Sequence, residues 1–308
     1  MIIVQIIPDA GLGNQMFMYA AGLSTAHRLN TELKLGAWHF NIYSRPDRTY
    51  QLSCFQAITE TNATFSDMLK VCPRIAFLML IKGKRPIKKK HIFRRILRKI
   101  LLKSVPSKGR YGAVWGSYSP DFESIPDNTY ICGYWESERI FADIKDIIRT
   151  KFIFAPECFN PELSERINSC NAVAIHVRRG DKVTGDLFIC SQEDYIRQAI
   201  AKMNSLTENP EYFVFSDDIE YCRKVLPQIY DTHYTFIDGQ SPAQDMALMT
   251  LCKHTIVAPS TFSWWGAWLN KNPDKIIIAP DVNLWYKSGT YDPEDRKYLL
   301  PDNWIKIG

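Results

Sequence analysis

The residues best suited to chemistry stand at 176–181. There the apolar run Ala172-Val173-Ala174-Ile175 passes through His176 and Val177 into Arg178, Arg179, Gly180 and Asp181. A short run rich in branched residues reads as a buried parallel strand, and open α/β sheets bind ligands at the carboxyl ends of such strands. Two guanidiniums at that place, always charged and each a planar fork of donors, suit a phosphate or diphosphate. The same residues also fit a plain salt-bridged strand end in which Arg178 pairs with Asp181.

Three further segments follow strand-like runs in the same way. Gly11-Leu12-Gly13-Asn14-Gln15 comes after the apolar N-terminus. Its glycines let the backbone approach a ligand closely, and the helix that follows opens with amides that attract anions. The third glycine of a dinucleotide fingerprint is missing, and a tight turn accounts for the pair equally well. Next, Phe213-Val214-Phe215 runs into Ser216-Asp217-Asp218. A carboxylate there can accept the adjacent N–H donors of a guanine edge, ligate Mg²⁺ beside a diphosphate, or cap the next helix. Last, Ala258-Pro259-Ser260-Thr261 hands a strand over to a helix, so its hydroxyls and amides can hold diphosphate oxygens. Trp264 and Trp268 in that helix share a face and read as packing residues.

The elements that must position these groups are regular in the second half of the chain. Strands are expected at 171–177, 211–216, 233–237, 254–258 and 275–279, separated by helices at about 192–204, 218–226, 242–252 and 262–271. This alternation predicts a parallel sheet wrapped by helices. Ser191 and the Ser241-Pro242-Ala243-Gln244 run mark helix starts. The first half reads as a strand at 2–7, a helix at 14–30 and a strand at 31–35, with the Pro-, Gly- and aromatic-rich stretches 37–55 and 106–135 taken as loops. A chain of 308 residues exceeds the common size of one domain. The expected fold class is therefore α/β, two Rossmann-like domains facing across a cleft, divided as 1–160 and 161–308.

Charge is unevenly placed. The net charge is +5, yet the interval between Asp67 and Asp121 holds fifteen Lys or Arg and no acid, which leaves −10 on the remainder. The densest part, from Lys88 to Lys103, sets Ile92, Phe93, Ile96 and Ile100 at helical spacing among the basic residues. Such a helix suits an anionic membrane surface, and equally a docked helix with a solvated basic face. Stacking aromatics are sparse in it, so no nucleic-acid partner is expected. The apolar start is too short for a membrane span and lacks the features of a signal peptide. Eight cysteines without ligand spacing predict reduced thiols, no structural zinc and a cytoplasmic setting.

Taken together and in order, Gly11-Leu12-Gly13-Asn14-Gln15-Met16-Phe17, His176-Val177-Arg178-Arg179-Gly180-Asp181, Phe215-Ser216-Asp217-Asp218 and Ser260-Thr261-Phe262-Ser263-Trp264-Trp265-Gly266-Ala267-Trp268-Leu269 resemble the α-1,2-fucosyltransferases of the bacterial type, glycosyltransferase family 11. The resemblance implies a GT-B fold with an N-terminal acceptor-side domain, which carries the basic segment 82–110, and a C-terminal domain that binds GDP-fucose. It implies transfer of fucose to the 2-hydroxyl of a terminal galactose, with inversion and without an obligatory metal or other cofactor.

By the same resemblance Arg178 is the essential contact to the β-phosphate and Arg179 supports it. Gly13, Asn14, His176 and Phe262 face the donor, Asp217 or Asp218 faces guanine, and Ser260 with Thr261 holds the diphosphate. Asp181 stands as catalytic candidate, orienting Arg178 ahead of acting as a base. Pro259 departs from the family, where Asn is usual, and so does Asp9-Ala10, where Gly is common. The partners implied are GDP-fucose and a galactose-terminated oligosaccharide; the basic segment in turn suggests that the enzyme is held on the cytoplasmic face of a bacterial membrane, where precursors of a surface polysaccharide would be the substrates. Two alternatives stand beside it, another GDP-sugar-dependent glycosyltransferase and a non-catalytic glycan-binding protein at a membrane.

Overall fold

A computed structural model of the chain describes residues 1–41, 49–73, 75–76, 110–116, 118, 120–179, 193–285 and 296–308. Consecutive apolar residues at the N-terminus form β1 (Ile2–Gln5), buried through Val4 because its sheet is covered on both faces. Helix α1 (Leu12–Arg28) leads to β2 (Leu33–Gly36), which pairs parallel with β1. Gly22 is required where α1 crosses the strand, since a Cβ there would lie 2.6 Å from the Cβ of Val4. Gly22→Ala is accordingly expected to destabilise the fold by ~1–3 kcal/mol through overpacking, against the better helix propensity of Ala. A urea midpoint at or above wild type would contradict this.

Short helix α2 (Phe65–Val71) starts with a capping box between Thr64 and Asp67, and Lys34 bonds the same carboxylate at 3.1 Å. These bonds, led by the Thr64 hydroxyl, hold the Asp67 carboxyl at about 2. Two strands then complete the first sheet, β3 (Arg110–Gly116) and β4 (Thr129–Trp135), in the order β2-β1-β4-β3 with every pair parallel. They correct the expectation of a loop over 106–135. Glycines at 112, 116 and 133 break the strand pattern in the sequence, and Gly133 takes a φ of 141° that a side chain disfavours. The run Tyr130-Ile131-Cys132 is nonetheless buried, because β4 lies between β1 and β3.

The chain divides into two units, one of residues 1–52 and 58–148, the other of 53–57 and 149–308. The crossing falls within α3 (Lys145–Lys151), ahead of the expected boundary at 160. Aromatic packing accounts for this: Phe152 and Phe154 stack on Phe55 at 4.8 and 4.7 Å, and Phe152 meets Trp265 at 5.0 Å. The second unit contains α4 (Pro161–Asn168), β5 (Ala172–Val177), α5 (Glu193–Leu206), β6 (Glu211–Ser216), α6 (Ile219–Ile229), β7 (Tyr234–Phe236), α7 (Pro242–Leu251), β8 (His254–Ile256), α8 (Thr261–Leu269), β9 (Ile277–Pro280) and β10 (Ile305–Ile307). The expected strands and helices from 171 onward are all present within a few residues, while α4 and β10 are additions.

The sheet order β10-β9-β8-β5-β6-β7, with all pairs parallel, is that of a doubly wound nucleotide-binding fold. Side chains alternate between its two faces. Val173, Ile175, Val177, Tyr212 and Val214 pack under α5 and α6, whereas Ala172, Ala174, Phe213 and Phe215 pack with Leu248 and Met249 of α7. The order in which strands are added reverses between β5 and β8, which puts the switch point of the fold at the carboxyl ends of these two strands.

Among the described residues no helix is long and apolar enough to cross a membrane. The basic segment 82–110 lies outside the described residues except Arg110, the first residue of β3. Cysteines 54, 72, 132, 158, 170, 222 and 252 are free thiols, and Cys190 is outside the described residues.

Candidate functional site

The carboxyl end of β5 is bolted to that of β6. The Ser216 hydroxyl donates to the Val177 carbonyl at 2.8 Å and accepts from the Asp218 amide at 3.0 Å. Asp217 accepts the Arg179 amide through one oxygen at 2.8 Å and pairs with Arg178 Nη1 through the other at 2.8 Å. One carboxylate therefore fixes both the backbone after Arg178 and the Arg178 guanidinium, whose side chain is 22% exposed. A salt bridge stands at this strand end, made with an acid just after the neighbouring strand. Gly180 and Asp181 lie outside the described residues, and so does the orienting role assigned to Asp181.

Arg179 turns toward the helix that follows β6. Its Nε bonds Asp218 at 3.1 Å, and its guanidinium carbon lies 3.5 Å from the centre of the Tyr221 ring. The Tyr221 hydroxyl in turn donates to Glu193 at 3.0 Å. Asp218 also caps α6, accepting the Tyr221 amide at 3.2 Å. Asp217 and Asp218, one or the other of which is expected to face guanine, are thus each engaged with an arginine, and Arg179 anchors the strand end.

On the other side of the switch point, β8 pairs with β5 through Ile175 and Ile256, which brings Arg178 and the residues around Pro259 to the same edge. Ser260 is the N-cap of α8 and accepts the Phe262 amide at 3.3 Å. Ser260 and Thr261 are half-buried at this helix start, where the helix dipole favours an anion. His176, buried at the end of β5, lies 5.3 Å from the Phe262 ring. Trp264 and Trp268 stack at 6.2 Å with rings 11° from parallel, and Trp264 donates to the Leu299 carbonyl at 2.8 Å, so both are packing residues. The structure therefore gathers His176, Arg178, Asp217, Ser260, Thr261 and Phe262 at one edge of one sheet.

One residue at that edge was not anticipated. Asp245 is in the first turn of α7, and its Oδ1 is buried without a hydrogen bond among the described residues. Burial, with Asp238 adding to it, raises its carboxyl to about 7. Buried polar atoms are ordinarily satisfied, so this oxygen marks a place for a donor group. The sequence does carry the sign: Asp245 is spaced three and four residues from Leu248 and Met249, a single carboxylate on an apolar helix face.

Gly13 and Asn14 belong to the first unit, in the opening turn of α1, whose N-cap Gly11 offers no side-chain oxygen. Gln15 beside them is fully buried and bonds the carbonyls of Ala10 and Thr49 at 2.9 and 2.8 Å.

Comparison with known proteins identifies the family. The chain is 32% identical over 317 residues to an α-1,2-colitosyltransferase of Escherichia coli, covering 96% of each. It is 25% identical over 323 residues to the O-antigen biosynthesis glycosyltransferase WbnK of Escherichia coli, covering 97% of this chain and 98% of that protein. The crystal structure of the fucosyltransferase NodZ from Bradyrhizobium aligns with a TM-score of 0.49 at 15% identity, over 86% of this chain and 91% of that one. The model of glycosyl transferase family 11 matches residues 3–307, and the chain, with its arginine and its helix start flanking one switch point, belongs to that family.

Proposed function

We propose that this glycosyltransferase moves L-fucose from GDP-β-L-fucose to the 2-hydroxyl of a terminal galactose, with inversion. The observation that carries the reading is the placing of Arg178 and the α8 start on adjacent parallel strands, at the edge where a diphosphate is bound in folds of this order. Cleavage of the sugar–phosphate bond leaves an oxocarbenium-like sugar and a diphosphate gaining negative charge. A cation fixed at the β-phosphate therefore acts chiefly in the transition state. Arg178 supplies that charge, Asp217 holds it in orientation, and Ser260, Thr261 and the α8 amides hold the remaining oxygens. Fixed donors of this kind do the work that a metal does elsewhere, so no obligatory metal or other cofactor is included in the reading.

Asp245 replaces Asp217 and Asp218 as the acceptor for the guanine N–H edge, because those two already hold arginines. The first unit takes the acceptor side. The name of WbnK supports a surface polysaccharide as the acceptor's source. A second reading, transfer of a GDP-linked colitose, is favoured by the 32% identity to the colitosyltransferase.

Release of the nucleoside diphosphate (GDP from GDP-fucose, GDP-colitose and GDP-mannose, UDP from UDP-galactose), each with a panel of galactosides and followed by linkage analysis, tests both. Fucosylation at O2 of galactose is the expected product, and absence of GDP release with every galactoside removes the proposal. The fifteen basic residues between Asp67 and Asp121 support attachment to the inner face of a bacterial membrane. Salt-sensitive co-sedimentation with anionic vesicles is the expected result, and binding indifferent to salt would exclude an electrostatic anchor.

A further inference from the structure

We propose that Phe40 and Tyr50 form a pyranose subsite for the acceptor at the carboxyl edge of the first sheet, and that Gln15 is the positioning residue that holds it. The inference rests on the function proposed above. Phe40 belongs to a single helical turn, Trp38–Asn41, directly after β2 ends at Gly36. Tyr50 meets it edge to face, with ring centres 5.7 Å apart and planes at 80°. Both rings are half-buried, so neither is consumed by the core. Half-exposed aromatic rings suit the C–H face of a sugar, and nearby polar groups suit its hydroxyl rim. Glu60 supplies such a group. It is half-buried and, with Tyr50, lies within electrostatic reach of the Tyr19 hydroxyl.

The anchoring of Tyr50 is what sets this pair apart from an ordinary surface contact. Gln15 is 0% exposed and uses both ends of its amide on the chain flanking Tyr50. Its Nε2 donates to the Thr49 carbonyl at 2.8 Å, and its Oε1 accepts the Gln51 amide at 2.9 Å. A second Nε2 bond, 2.9 Å to the Ala10 carbonyl, ties the same side chain to the loop that precedes Gly11. An apolar residue of equal volume would fill the space, but only a carboxamide pins residues 49 and 51 together and fixes the height of Tyr50 above α1. Asn14, the neighbour of Gln15, is in the same opening turn, so a sugar held at Tyr50 is registered against the Gly11-Leu12-Gly13-Asn14 segment.

The test compares wild type with Tyr50→Ala, Phe40→Ala and Gln15→Met. Acceptor KM is measured with lactose and N-acetyllactosamine, GDP affinity by calorimetry, and glycan contact by NMR saturation transfer to lactose in the presence of GDP. Each single change is expected to raise acceptor KM about three- to tenfold, the scale of one aromatic contact. Saturation transfer to the galactose ring should fall while GDP affinity stays within about twofold. Combining Gln15→Met with Tyr50→Ala should do no more than Tyr50→Ala alone, because the two act through one ring.

Unchanged acceptor KM and undiminished saturation transfer in Tyr50→Ala overturn the subsite. So does a parallel loss of GDP affinity, which reports general loosening, and so does absence of saturation transfer to either glycan in wild type. Binding of lactose without transfer from GDP-fucose would instead strike the proposed reaction, since the NMR arm uses no sugar donor.

Discussion

Replacing Arg178 by Lys is expected to lower turnover about 10²–10³-fold, the scale of losing one fixed donor to a developing oxyanion. GDP affinity should fall much less, because the α8 start and its hydroxyls still hold the ground-state diphosphate. The physical reason is geometric. Arg178 reaches Asp217 with Nη1 at 2.8 Å, and its planar fork lets a single group hold an acid and a phosphate in fixed relation. A lysine ammonium keeps the charge but is a point donor on a flexible stem, so pairing with Asp217 and pairing with the phosphate compete. Asp217→Asn should reproduce part of the defect in kcat with little change in donor affinity, since it leaves the guanidinium in place and loosens it. Near-normal kcat in Arg178→Lys, with donor saturating, would end the assignment of Arg178 to the leaving group.

Asp245→Asn should produce two changes of opposite benefit. Its raised carboxyl, about 7, means that the folded protein prefers the protonated form. Its stabilising contribution is complete below the unfolded value of 3.8 and is lost as pH rises through 7, so wild type carries the full cost of a buried charge at pH 8. Removing the ionisable group should raise the Tm at pH 8 by about 2–4 °C for each kcal/mol recovered, and should leave the Tm at pH 4 unchanged. GDP affinity should fall about 10–100-fold, the value of charge-assisted bonds to a buried acceptor. Inosine diphosphate lacks the 2-amino group of guanine, so wild type should prefer GDP to it and the variant should not. Equal preference for GDP over inosine diphosphate in both proteins would remove Asp245 from guanine recognition.

The strong stabilising and catalytic roles divide differently along the chain. Helix starts at Ser241, Asp218 and Ser260 follow from residues within four positions of one another, and each caps as its type and spacing require. Strands from 172 to 280 were equally legible, because buried parallel strands are short unbroken apolar runs. Strands β3 and β4 were hidden, since three glycines interrupt their pattern and only pairing of β4 with β1, and of β3 with β4, makes that stretch extended. The crossing between units was hidden too, because it depends on Phe152 and Phe154 meeting Phe55, a contact made across almost a hundred residues.

Sequence by itself determined that this protein is an α/β chain with arginines, carboxylates and hydroxyls at strand ends, because caps, glycines and strand-end arginines act through their immediate neighbours. Tertiary structure alone decided what those groups face. Placing β6 beside one edge of β5 gave Arg178 to Asp217 and Arg179 to Asp218 and Tyr221, and placing β8 beside the other edge brought the α8 start to the same side. Strand order is set by long-range burial of both sheet faces, which no local spacing encodes, and it is this order that left Asp245 as the buried carboxylate with an oxygen to offer.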